Sequence, residues 1–196
     1  MTFQAIGRLN EMGFWTGKNY ALTSDANRQA IIAFQKMYNR PRTGKLGDTT
    51  LALIMSSKVP VAQERLHKRH IEIDLDHQLL FAVDSSDRIT RILSVSTGTG
   101  QRFDYPGEGT RFARTPRGKF KVYYKVKGWK KSPLGLLFDP MYITGGIAVH
   151  GPLSVPPKPA SHGCIRIPMF AAEAMFRMTP IGTPAIVFGE NPVPKE

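Results

Sequence analysis

The segment Ser161-His162-Gly163-Cys164-Ile165-Arg166 holds the single cysteine of the chain between a histidine, a glycine and an arginine. A second histidine stands upstream, where the apolar pair Ala148-Val149 stops at His150-Gly151. Cysteine, histidine and a glycine-bearing turn are the parts of a thiol nucleophile. A thiol attacks a carbonyl as thiolate, and a free pKa of about 8.5 leaves only a few per cent ionised at neutral pH, so a basic partner is required. Of the five histidines, His67 and His70 fall in a polar linker and His77 in a turn, where solvated side chains are expected. His150 and His162 remain.

Gly163 permits close backbone approach, and its amide together with that of Cys164 could donate to a developing oxyanion. Arg166 falls on the same side of an extended segment as Cys164. There it either binds a substrate carboxylate bidentately and favours the thiolate, or forms a buried ion pair that holds the loop. A zinc set is poor, because a second cysteine is missing and His162 and Cys164 stand too close for finger spacing; neither metal nor cofactor is expected. One cysteine excludes an internal disulfide, and without its neighbours it would read as inert packing.

The 196 residues, 41% of them hydrophobic, suffice for one sizeable domain or for a small one plus a medium one. No apolar run reaches the roughly 18 residues of a membrane span, and Met1-Thr2-Phe3-Gln4 lacks the basic and apolar regions of a secretory signal, so no transmembrane segment is expected. A formal charge of +12 implies attraction to a polyanion: nucleic acid, a membrane surface or an anionic wall polymer. The charge is concentrated, with nine Lys or Arg and no acid from Arg111 to Lys131. That stretch lacks a helical recognition motif, and no nucleic-acid partner is expected.

Several elements must position the thiol. Ile6, Leu9 and Met12 have helical spacing, as do Ala30, Ile31, Phe34, Met37 and Tyr38 behind a cap at Ser24 or Asp25. A third helix, capped by Asp48 and carrying Leu51, Leu53 and Ile54, follows the Thr43-Gly44 turn. Residues 1–58 therefore read as a small three-helix N-terminal domain, 59–69 as a linker, 70–190 as a mainly β domain and 191–196 as a tail. In the β domain, Ile71, Ile73 and Leu75 alternate with Glu72, Asp74 and Asp76, which predicts a half-buried strand. Leu79–Val83 and Arg88–Val95 predict its hairpin partners, and Ser96–Gly100 and residues 101–114 read as loops. Phe120, Val122, Tyr124 and Val126 alternate with Lys119, Lys121, Lys125 and Lys127, which predicts one amphipathic strand with its lysines in solvent. Trp129–Tyr142 is an apolar loop interrupted by Pro and Gly, covering either the core or a cleft. Ile147–Val149 is a short buried strand. Pro152, Pro156, Pro157 and Pro159 stiffen the connection from His150 to Cys164, Pro168 opens a helix over Met169–Met178, and Ala185–Phe188 forms a last strand.

Two resemblances rest on these residues. Ile6-Gly7-Arg8-Leu9-Asn10-Glu11-Met12-Gly13-Phe14, Arg28 to Lys36, and Thr43-Gly44-Lys45-Leu46-Gly47-Asp48-Thr49-Thr50 resemble a peptidoglycan-binding-like three-helix module, although Lys18–Ser24 lacks its usual Asp-Gly turn. Thr115-Pro116-Arg117-Gly118-Lys119-Phe120, Gly145 to Gly151 and Ser161 to Arg166 resemble, in order and rough spacing, the L,D-transpeptidase catalytic domain of the YkuD type over residues 70–188. The fold this implies is a YkuD-type β-sandwich with a short helix.

The activity it implies is acyl transfer on peptidoglycan. Cys164 would attack the third residue of a tetrapeptide stem, release D-alanine and pass the acyl group to an amine, forming a 3→3 cross-link. The resemblance makes His150 the base, oriented by a backbone carbonyl such as that of Gly151, and has His162 and Gly163 shape the oxyanion site. It sets Tyr142, Ser161, Gly151 and Arg166 around the donor, with Trp129–Tyr142 as a lid. The implied partners are stem peptides, glycan and, as inhibitors, carbapenems, outside the cytoplasm in the wall or periplasm. Two other readings stand beside it: an L,D-carboxypeptidase with water as acceptor, and a non-catalytic wall-binding protein whose cysteine is structural.

Overall fold

Apolar side chains recur at helical spacing before residue 57 and at alternate positions after residue 70, and the chain folds as those periods dictate. A computed structural model describes residues 2–17, 21–22 and 24–192. The expected tail from residue 193 on, and most of the Lys18–Ser24 loop, lie outside the described residues. Helix α1 (Thr2–Glu11) buries Ala5, Ile6 and Leu9, α2 (Asp25–Met37) buries Ile31 and Phe34 among others, and α3 (Asp48–Ser56) buries Ile54. Neither expected side-chain cap forms. Ser24 takes the N-cap of α2 through extended backbone alone, and Gly47 takes that of α3, leaving Asp48 in the first turn, where its charge meets the positive helix end.

The strands are β1 (His70–Asp74), β2 (Leu79–Val83), β3 (Ile89–Ser94), β4 (Arg102–Tyr105), β5 (Gly109–Phe112), β6 (Gly118–Lys121), β7 (Tyr124–Lys125), β8 (Trp129–Ser132), β9 (Gly135–Thr144), β10 (Ile147–Gly151), β11 (Ile165–Arg166) and β12 (Pro184–Phe188). One sheet has the order β3-β2-β1-β12-β6 and the second β11-β10-β9-β7, with β8 folded onto β9. Among the strand pairs of the described residues, β1 with β12 and β10 with β11 run parallel and the others antiparallel. The sheets face each other as a sandwich: Ile71, Ile73, Leu80 and Leu93 from the first meet Met141, Ile143, Val149 and Ile165 from the second. Helix α4 (Met169–Met178), bounded by Pro168 and Pro180, adds Ala171, Ala172 and Met175 to that core.

The outer face of the first sheet is also covered. Leu79, Phe81, Val83 and Ile92 share a second core with Leu9, Phe14, Ile31 and Phe34 of the helical segment. Strand β1 is consequently buried at all five positions, and not half-buried as its alternation predicts. Its charged side lies under the linker: Glu72 accepts the amides of Gln63 (2.9 Å) and Glu64 (2.8 Å) and pairs with His70 at 3.1 Å. His70, expected in solvent, is fully buried.

Four more expectations change. The amphipathic run from Lys119 to Lys127 is two strands in two sheets, because the chain crosses the sandwich at Val122, which is fully buried. Lys125 is only partly exposed: its Nζ donates to the carbonyls of Phe176 and Thr179 at the end of α4 and lies 3.9 Å from the Phe176 ring centroid. Residues 101–114 are largely the β4–β5 hairpin and Trp129–Tyr142 lies within the β8–β9 hairpin, so both supposed loops are paired backbone.

A lysine at a helix C-terminus satisfies orphan carbonyls and the helix dipole. Lys125→Met should therefore lower unfolding free energy by about 1–2 kcal/mol in urea titration, while exposed Lys121→Met should change it by less than about 0.5 kcal/mol. Equal effects would contradict the capping role.

Candidate active site

Strand β10 lies between β9 and β11. Parallel pairing sets Val149 beside Ile165 and His150 beside Arg166, and antiparallel pairing sets Ala148 beside Tyr142 and Val149 beside Met141. Successive strand residues alternate faces. Met141, Val149 and Ile165 therefore point into the sandwich core, and Tyr142, Ala148, His150, Cys164 and Arg166 share the opposite face.

The turn that presents Cys164 is tied to itself and to the chain behind it. Ser161 Oγ donates to the Cys164 carbonyl (2.6 Å) and accepts the Gly163 amide (3.0 Å). Gly163 has φ +138°, and a Cβ there would lie 2.7 Å from Ile147 Cδ1 and 2.8 Å from the Arg114 carbonyl, so only glycine fits. Buried Thr115 donates to the Gly163 carbonyl (2.7 Å) and accepts the Gly98 amide (3.0 Å). Ser96 and Arg166 exchange backbone hydrogen bonds, and the Thr97 carbonyl accepts the amides of Ala160 and Ser161, each at 3.0 Å. The Ser96–Gly100 stretch, read from sequence as a plain loop, is thus the backing of the turn that carries Cys164.

Two expected assignments shift with this geometry. The Gly163 amide, expected at an oxyanion, already donates to Ser161, whereas the Cys164 amide takes part in none of these bonds. The Ser161 hydroxyl, expected at substrate, is buried and occupied within the turn. Gly151 lies against α4, where a Cβ would sit 2.8 Å from Ala172 Cβ, while its carbonyl faces His150.

His150 is 5% exposed, and its Nδ1 stands 3.2 Å from the Gly151 carbonyl. A carbonyl only accepts, so Nδ1 carries the proton and Nε2 the free lone pair. Burial pushes the His150 pKa down to about 4; the Gly151 bond opposes this and the Arg166 charge adds to it. Burial also pushes the Cys164 thiol up, partly offset by the Ala148 backbone N–H and by Arg166. The thiol rests 3.7 Å from the Gly146 carbonyl. Both shifts favour the uncharged forms, thiol and neutral imidazole.

Arg166 is half-buried, and none of the ion pairs among the described residues includes it. Among the described residues the ion-pair alternative thus lacks a partner. A cleft of about 570 Å³ opens over this face, walled by the β4–β5 and β8–β9 hairpins and floored by Tyr142, His150 and Cys164. Tyr142 is nearly buried and stacks on Tyr124 at 5.7 Å. His162 is exposed at the rim with its ring 4.5 Å from that of Phe103; its pKa is lowered by partial burial and by Arg166. Arg111, Arg114, Lys130, Lys131 and Arg166 line the cleft with no Asp or Glu among the lining residues. The acid-free charge run was the sequence signal for four of these cations. Phe103 gave no signal of its place at the cleft, and Thr115, which opens the Thr115–Phe120 motif, gave none of its bond to Gly163.

The depressed His150 pKa has a consequence for stability. The unfolded imidazole protonates near its ordinary value of 6.5 and the folded one only near 4, so the unfolded state binds more protons between them and stability falls as pH drops through that window. The loss is on the order of 3 kcal/mol. Urea midpoints measured from pH 7 to pH 4 should show this decline in the wild type and a shallower one in His150→Gln; parallel declines would refute the assignment.

Residues 68–187 match the family model of YkuD, the L,D-transpeptidase catalytic domain. An L,D-transpeptidase from Xylanimonas cellulosilytica of known structure is similar over 95% of this chain and 92% of that one, with 36% identity and a TM-score of 0.87. An L,D-transpeptidase from Stackebrandtia nassauensis shares the fold, with 23% identity, 97% and 92% coverage and a TM-score of 0.56. No curated protein sequence matches the chain. With the sandwich, the Ser161–Cys164 turn and these matches in hand, the chain belongs to the YkuD family of L,D-transpeptidase catalytic domains, enzymes that act on peptidoglycan.

Proposed function

We propose that the protein is a cysteine acyltransferase that forms 3→3 peptidoglycan cross-links through an acyl-enzyme on Cys164. The observation that carries this reading is the common face of Cys164, His150 and Arg166, which joins no ion pair among the described residues, in a cleft whose lining residues include five cations and no Asp or Glu. Stem peptides carry several carboxylates, and such a cleft suits them.

In the first step Cys164 Sγ bonds to the carbonyl carbon preceding the terminal D-alanine of a tetrapeptide stem, and its proton passes to His150 Nε2. The carbonyl oxygen becomes an oxyanion, for which the Cys164 amide is the available donor. The C–N bond then breaks, His150 returns the proton to the leaving amine, and D-alanine departs. An acceptor amine attacks the thioester, gives a proton to His150, and the thiolate leaves and takes that proton back. Because burial favours the neutral thiol and the neutral imidazole, proton transfer is coupled to attack and does not precede it. Arg166 binds a donor carboxylate, Tyr142 packs against the donor, and the β8–β9 hairpin acts as lid. His162 shapes the rim on the oxyanion side. Residues 1–58 are read as the peptidoglycan-binding-like unit, and the site of action as the wall or periplasm.

Incubation with a carbapenem should add one adduct on Cys164 by mass spectrometry, absent in Cys164→Ala; an unmodified wild type would sink the catalytic reading in favour of a wall-binding protein. A tetrapeptide donor with an amine acceptor should yield cross-linked dimer and free D-alanine, whereas tripeptide alone would identify a carboxypeptidase. Arg166→Gln should lower kcat/KM for that donor about 10- to 100-fold, the loss of a hydrogen bond between charged groups.

A further inference from the structure

Lys36, near the C-terminus of α2, is fully buried. No carboxylate pairs with it among the described residues. Its Nζ donates to three oxygens, the Gln78 carbonyl (3.2 Å), Ser94 Oγ (2.8 Å) and the Val95 carbonyl (2.7 Å), which match the three protons of an ammonium group. Burial, and then the nearby Arg42, pull its pKa well below the ordinary lysine value. An apolar side chain would fill the same space without the desolvation of an amine, so what Lys36 contributes is the hold on those three oxygens.

The held groups lead to the active site. Gln78, in a left-handed conformation at φ +57°, donates from Nε2 to Thr97 Oγ1 (2.7 Å) and accepts the Thr97 amide (2.9 Å). The Thr97 carbonyl accepts the amides of Ala160 and Ser161, and Ser161 Oγ ties Gly163 to Cys164. A second tie comes from the same segment: Arg42 donates to the Pro157 carbonyl at 3.0 Å, on the loop between His150 and Cys164.

We propose that Lys36 is a positioning residue for the reaction, through which the N-terminal helices fix Gln78 and Thr97 and so the Ser161–Cys164 turn. This rests on Cys164 being the nucleophile. A small misplacement of a reacting atom from a distant change can cost up to about 100-fold in rate.

The test uses the full chain and three readouts: the second-order rate of Cys164 acylation by a carbapenem, hydrogen exchange of the Thr99, Ala160 and Ser161 amides, and Tm. Lys36→Met should acylate about 10- to 100-fold more slowly with faster exchange at those amides. A control in the same helical core, such as Ile31→Val or Ile6→Val, chosen for the same loss of Tm, should keep the wild-type rate and exchange. Ser94→Ala, which removes one acceptor and little volume, should shift both readouts in the direction of Lys36→Met, and it decides the matter if Lys36→Met does not fold. Wild-type rate and exchange in the folded variant, or losses no larger than in the Tm-matched control, overturn the proposal. A wild type that the carbapenem does not acylate overturns instead the acyl-enzyme reading beneath it.

Discussion

The parallel pairing of β10 with β11 is the constraint on which the site depends. Side chains alternate with a period of two, so one register both buries Val149 and Ile165 in the sandwich and turns His150, Cys164 and Arg166 to the cleft. A slip of one residue would send imidazole and guanidinium into the core and leave two aliphatic side chains in water. Parallel neighbours need a crossover of about a dozen residues, commonly a helix; here a loop with four prolines makes it. The Ile167 amide on the His150 carbonyl at 3.0 Å continues the pairing itself, and the register is held from outside by Ser96 on Arg166 and by Thr97 on Ala160 and Ser161.

The same burial that defines the site sets its electrostatics. Low polarity disfavours both charged forms of the Cys164–His150 pair, and Arg166 favours the thiolate while disfavouring the imidazolium. Arg166 joins no ion pair among the described residues, and Lys130 and Lys131 of the β8–β9 hairpin add positive charge to the cleft wall, whereas Arg111 on the β4–β5 hairpin is paired with Glu108. No Asp or Glu stands among the lining residues.

Legibility varied with the range of the interaction. Strand β2, read from its unbroken Leu79–Val83 run, is apolar on both faces because both are covered, one by the sandwich and one by the helices. Strand β1 alternates in sequence yet is buried throughout, because backbone amides of the linker cover its carboxylate face, and amides leave no pattern in side chains. The lysine run misled for a similar reason: a period of two shows which face is polar and not that the chain changes sheets at Val122 or that Lys125 meets the end of a helix.

The sequence by itself marked the candidate thiol and the histidines nearest to it, and it determined the change from helical to strand period and the limits of α4, since each is written in local spacing, proline placement or a short motif. Only the tertiary structure decided what lies against those elements. Lys36 beside Ser94 and Val95, Thr115 beside Gly163 and Thr97 beside Ser161 are contacts between distant parts of the chain. Periodicity states that a face must be covered, and the folded chain alone selects the group that covers it. The Ser161–Arg166 segment shows both halves: its residue types name the chemistry, and the backing from Ser96 to Thr99 gives them one geometry.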